Sequence, residues 1–117
     1  MVKGMKKGLF IFFIFLSTVF SQKNELKNLK VLSYTNKSEL VKYMKVVSKE
    51  LGVKCNFCHV TSDYSNDKKD MKKVAREMML MTMNANKTMN DLNFHEISCW
   101  VCHRGNNHPE HPPSNKK

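Results

Sequence analysis

The sequence predicts a small, mostly α-helical protein of two units, each a helix that leads into a Cys-x-x-Cys-His motif. Three observations carry that expectation. Two stretches repeat their apolar residues at helical spacing. Each is followed by a matching pentapeptide, Cys55-Asn56-Phe57-Cys58-His59 and then Cys99-Trp100-Val101-Cys102-His103. The aliphatic content is also too low for the chain to build a core from its own side chains. With 117 residues, and 20 Lys and Arg against 10 Asp and Glu, the chain has the length of one small domain.

The N-terminus is read separately. Lys3, Lys6 and Lys7 precede an apolar run from Leu9 to Phe20, and Val19 and Ser21 suit the −3 and −1 positions of a cut before Gln22. Residues 1–21 therefore read as a secretory signal peptide, the run being shorter than the roughly 20 residues that span a bilayer. An uncleaved, tilted anchor is the alternative. No cysteine stands at the cut, which argues against a lipid anchor. Residues 22–37 form a lead segment, 38–106 the two-motif domain, and 107–117 a polar, Pro-rich tail. From Gln22 onward only 18 of 96 residues are Leu, Ile, Val or Phe, and the net charge is +7. A chain so charged and so poor in aliphatics normally stays unfolded unless something else supplies its core.

The first helix is expected to start with Ser38 as N-cap and Glu39 in its first turn, and to stop at Gly52. Leu40, Met44, Val47 and Leu51 share one face of it, with Lys42, Lys45 and Lys49 elsewhere. The second helix is expected over about Asp67 to Asn86. Its stripe is Met71, Val74, Met78, Met81 and Ala85, while Asp67, Asp70 and Glu77 face water. Each Cys-x-x-Cys-His should open a short helical turn, Gly105 ending the second. Val60–Asn66 and Lys87–Glu96 read as loops.

The motifs carry the chemistry. Cys-x-x-Cys-His is the attachment signature of c-type haem. Two thiols about one helical turn apart reach two vinyl groups on one edge of a porphyrin, and the next residue swings its imidazole under the iron. Cys55, Cys58, Cys99 and Cys102 are then the attachment points of two covalently held haem c groups, and His59 and His103 the proximal iron ligands. Two disulfides, a redox-active dithiol and a zinc site compete as readings. None of them requires a histidine directly after each second cysteine, and 40 residues between Cys58 and Cys99 exceed the usual zinc spacing. The fold class is thus a small multihaem c-type cytochrome, its two units packed around two large apolar cofactors.

A six-coordinate iron needs a distal ligand, and a thioether raises the potential where a second histidine lowers it. Met44 lies 11 residues before Cys55 on the inward stripe, and a reversal at Gly52-Val53-Lys54 brings that face towards the first motif. It is the expected distal ligand of the first haem, with flexible core filler as its bland alternative. For the second haem the choice is Met81, then Met78, against the same alternative, and a haem with no strong sixth ligand stays open. His95 is too close to Cys99 to fold back easily, and His108 and His111 sit in the tail.

The residues around the motifs resemble the cytochrome c subunit family of photosynthetic reaction centres. The resemblance rests on Asn28-Leu29-Lys30-Val31-Leu32, on Met44 with Leu51-Gly52-Val53-Lys54-Cys55-Asn56-Phe57-Cys58-His59-Val60, and on Ala75-Arg76-Glu77-Met78-Met79 with Met81. It continues in Ser98-Cys99-Trp100-Val101-Cys102-His103-Arg104-Gly105 and Pro109, covering about residues 28 to 109. It implies a methionine ligand on the helix before the motif, which is the place of Met44. It also implies that one haem of the larger, four-haem members takes its distal histidine from a half that this sequence does not match.

The expected function is outer-sphere electron transfer by an exported, periplasmic carrier. Lys37, Lys42, Lys45, Lys49 and Lys54 group along the first helix, a patch suited to redox partners with acidic docking faces or to a membrane-bound electron-transfer complex. The alternative for that patch is a solvated helix face. Nucleic acid does not suit an exported haem protein. The alternative function is a haem enzyme or gas sensor of peroxidase type, using an open second iron and recruiting Arg76.

Overall fold

The computed structural model describes residues 26–109. The signal segment, the first residues of the lead and the tail from residue 110, including His111, lie outside the described residues. Four helices follow one another: α1 (Lys37–Leu51), α2 (Cys55–Cys58), α3 (Asp70–Asp91) and α4 (Trp100–His103). Among the described residues there is no strand, only an isolated bridge between Val60 and Asp63 in the loop after α2.

Asn36, and not Ser38, caps α1: its side chain accepts from Ser38 N at 2.7 Å. An Asx side chain two residues upstream thus takes the Ser38 amide, itself one of the orphan donors of the first turn. The C-terminus ends as expected, with Gly52 in the left-handed region at φ 64° and its N–H on the last-turn carbonyls. The Val53 amide closes back onto Ser48 O at 3.0 Å, completing the reversal into α2.

Helix α3 begins three residues later than expected and ends five later. At its start, Asn66 accepts from the Lys68 amide at 2.8 Å, and Asp67 is occupied by cations, so neither enters the helix. At its end, Asn86 holds Ile97 in both directions, donating to its carbonyl at 2.9 Å and accepting from its amide at 2.7 Å. That clamp pins the following segment against the helix and lets the last turn run on to Asp91. Asn93, at φ 56°, then turns the chain.

The covered face of α3 is rotated from the one its apolar residues suggest. Met79 and Lys72 are buried, and Ala75, Arg76, Met78, Thr82, Ala85, Asn86 and Met89 are partly covered. Met71, Val74, Met81 and Met83 are exposed. Asp67 also departs from expectation, since it faces a cluster of cations and not water. Among the described residues Met79 is the one buried hydrophobic side chain.

Helices pair across the two units. The principal contacts are α2 with α3 and α1 with α4. The α1–α4 contact is made by backbone: Gly105 N donates to Glu50 O at 2.8 Å. A Cβ placed on Gly52 would lie 1.9 Å from the Gly105 carbonyl oxygen. Position 52 therefore needs glycine twice over, for its φ and for the closeness of Gly105. Helix α4 ends at His103, and its cap Arg104 is left-handed at φ 50°, one residue before the expected Gly105.

Gly52→Ala is expected to destabilise the chain by at least about 2 kcal/mol in denaturant unfolding. Gly105→Ala, whose Cβ would meet only the Trp100 ring at 3.6 Å, is expected to cost about 1 kcal/mol, the conformational penalty alone. Equal costs would refute the close backbone contact.

Candidate haem-attachment site

Both motifs fold the same way. The His59 amide donates to Cys55 O and the His103 amide to Cys99 O, each at 2.9 Å, so each motif is one closed helical turn. That turn sets the two sulfurs of a motif on one side of the backbone and sends the histidine out from its end. None of the four cysteines is paired in a disulfide. Burial pushes the Cys58 thiol above its ordinary value, and burial together with the neighbouring Glu50 carboxylate does so for Cys99. Among the described residues no three His, Cys, Asp or Glu side chains converge to hold a metal ion.

The two histidines share one second feature. His59 Nδ1 lies 3.1 Å from Tyr64 O, and His103 Nδ1 lies 2.9 Å from Asn106 O. A carbonyl oxygen only accepts, so Nδ1 carries the proton in both rings and Nε2 keeps its lone pair. This is the arrangement by which a protein fixes the tautomer of a metal-binding imidazole. Burial holds His59 below the ordinary histidine range, and the cations Lys72, Arg76 and Lys69 act in the same direction against the Tyr64 hydrogen bond. His103 is 6% exposed.

Each motif is tied to a helix of the other unit. At the first, Lys69 Nζ donates to the Asn56 carbonyl, and Lys72 Nζ to Tyr64 O at 2.9 Å and Asn66 O at 2.8 Å. At the second, Ser98 Oγ donates to the Glu50 carboxylate at 2.9 Å. Tyr43 stands beside Cys99, its hydroxyl raised by burial and by that thiol, and its ring lies 5.6 Å from that of Tyr34.

Asp67 joins the lead segment to this framework. Its carboxylate lies 2.9 Å from Lys30 Nζ, 3.0 Å from Lys72 Nζ and 2.9 Å from Arg76. Arg76 also donates to Asn28 O at 3.3 Å. Arg76 is thus committed to structure, which leaves the enzyme reading without its recruited arginine.

Of the expected distal ligands, Met44 is partly covered on α1, Met78 partly covered on α3, and Met81 52% exposed on α3. His95 and His108 are exposed. Tyr64, Asn106, Lys72, Asp67 and Glu50 were not legible as site residues. Tyr64 and Asn106 act through backbone oxygens, which no side-chain pattern announces. Lys72 and Arg76 had a signal, since both fall one or two helical turns beyond Asp67.

The residues fit a covalently held haem. Paired thiols one turn apart, an imidazole with a free Nε2 beside them, and apolar side chains left at the surface (Phe57, Val74, Met81, Trp100 and Val101) are what such a group requires. Fold and site together define a small helical c-type cytochrome. A model of the photosynthetic reaction centre cytochrome C subunit family matches residues 18–116. The photosynthetic reaction center cytochrome c subunit of Rubrivivax gelatinosus (strain NBRC 100245 / IL144) is 31% identical over 87 residues, which cover 72% of this chain and 24% of the relative. The chain belongs to the photosynthetic reaction centre cytochrome C subunit family, and it spans about a quarter of that relative's length.

Arg76 first, then Lys30, Asn28 and Lys72, hold the Asp67 carboxyl well below the usual carboxylate range. Because its folded value lies below the unfolded one, the stability it adds is complete above about pH 4 and is lost as pH falls towards the folded value. Asp67→Asn is therefore expected to be less stable than the unaltered chain near neutrality, with the gap closing below about pH 4. Urea unfolding across that range measures it, and a gap as large at pH 3 as at pH 7 would count against the ion cluster.

Proposed function

We propose that the chain is an exported two-haem c-type cytochrome that carries electrons between redox partners by outer-sphere transfer. The observation that carries the reading is the repeated turn in which each motif's histidine gives Nδ1–H to a backbone carbonyl and keeps Nε2 for a metal. Haem, when bound, supplies a one-electron couple between ferric and ferrous iron. Cys55 and Cys58 hold the first group, Cys99 and Cys102 the second. His59 and His103 bind iron through Nε2, in an orientation set by Tyr64 O and Asn106 O. Met44 supplies a thioether to the first iron and thereby favours its ferrous state. Met81, then Met78, is the candidate for the second.

The family description and the relative's name speak of a photosynthetic reaction centre. For this chain the partner is proposed on charge. Lys37, Lys42, Lys45 and Lys49 are exposed on α1, and Lys54 is exposed at the start of α2. They suit the acidic face of a redox protein or of a membrane-bound electron-transfer complex, approached at a rate that falls with salt. No helix among the described residues is long and apolar enough to cross a membrane. Periplasmic location rests on the signal segment at residues 1–21.

The test is intact mass and an optical spectrum of the full chain from a host that attaches haem in its periplasm. Two haem increments on a chain starting at Gln22, and no spectral change with carbon monoxide in the reduced state, are expected of a carrier. A single increment would remove the two-haem reading. A carbon monoxide shift of about half the signal would mark one open iron and favour an enzyme or gas sensor. Met44→Ala is expected to lower the potential of the first haem and open its iron to carbon monoxide. Unchanged potentials in a redox titration would remove Met44 as a ligand.

A further inference from the structure

The Tyr64 carbonyl oxygen takes two donors. One is His59 Nδ1 at 3.1 Å, and the other is Lys72 Nζ at 2.9 Å. Lys72 reaches it from α3, is only 8% exposed, and is held there by Asn66 O and Asp67. A buried lysine needs a reason to be buried, since taking an ammonium out of water is costly unless its donors are all met. Here they are met by two backbone oxygens and one carboxylate.

We propose that Lys72 is a positioning residue for His59, and that it raises the potential of the first haem by competing for the oxygen that polarises the histidine ring. Two effects carry the same sign. An ammonium is the stronger donor, so it draws electron density from the shared oxygen. The His59 Nδ1–H is then less polarised, Nε2 is a poorer electron donor, and ferric iron is less well stabilised. The ammonium is also a positive charge in a partly dry region beside the ring, where charges act at short range with less screening than in water. Asp67 offsets part of that charge, but it is shared among Lys30, Lys72 and Arg76. This inference rests on the proposed role of His59 as an iron ligand.

The experiment is a redox titration of the full haem-loaded chain, with the second haem as internal reference. Lys72→Met removes the charge at similar length. It is expected to change the ferric-to-ferrous ratio of the first haem at fixed potential by about threefold, a fall of about 30 mV for one electron, and to leave the second haem unmoved. Lys72→Arg, which keeps charge and donors, is expected to restore the original value. An unmoved first haem in Lys72→Met, or an equal fall in Lys72→Arg, overturns the proposal. If Lys72→Met yields no folded chain, Lys72→Gln and Asp67→Asn test it with opposite signs. The first should lower the potential and the second raise it, and no movement in either overturns the proposal. Peptide mass of the unaltered protein separates the two levels of failure. No haem on the Cys55–Cys58 peptide removes the two-haem reading and this proposal together, whereas haem present with an indifferent potential removes Lys72 alone.

Discussion

Folding a chain costs on the order of 1–2 kcal/mol of conformational entropy per residue, which apolar burial normally offsets. In this protein Met79 is the one hydrophobic side chain buried among the described residues. The remaining order is bought with polar contacts that are individually modest: a clamp from Asn86, an ion cluster at Asp67, a buried Lys72, and one helix end set on the backbone of another. Such a framework is suited to placing thiols and imidazoles but not to filling an interior. The two motif turns sit where the polar contacts converge, and the side chains left at the surface beside them are apolar.

This division explains what sequence reading reached. The motif turns, the helix before each and the stop at Gly52 were all legible, because each depends on residues within one or two turns of itself. The face of α3 was not. Periodicity sorts residues by apolarity, and on that ground Met71, Val74 and Met81 point inward. Lys72, Arg76 and Asn86 take the inward positions instead, because their partners are distant in sequence: the Tyr64 and Asn66 carbonyls, the Asp67 carboxylate and the Ile97 backbone. A polar residue with a non-local partner is invisible to a method that scores it alone. The shift of α3 at both ends has the same origin.

The candidate site divides in the same way between what is local and what is not. Cysteines and histidines in a fixed spacing identify themselves, and the structure closes both motifs into one turn as that spacing implies. What orients the histidines is backbone, at Tyr64 and Asn106, and a backbone oxygen has no letter of its own. The first motif adds a charged neighbour through α3, so two pentapeptides of the same pattern sit in different electrostatic surroundings. Two identical cofactors held there would not be equivalent.

The pairing of helices bears on how far the chain can be divided. In sequence it is two repeats, each a helix and a motif. In space α1 lies on α4 and α2 on α3, so every principal helix contact joins one repeat to the other. Gly52 and Gly105 meet across more than 50 residues of chain. A fragment cut between the repeats would keep both of its cysteines and its histidine, yet lose the neighbour that holds its motif in place. The protein is a repeat in its letters and one indivisible unit in its packing, and pieces holding a single motif, made from either half, would not stand in for the whole.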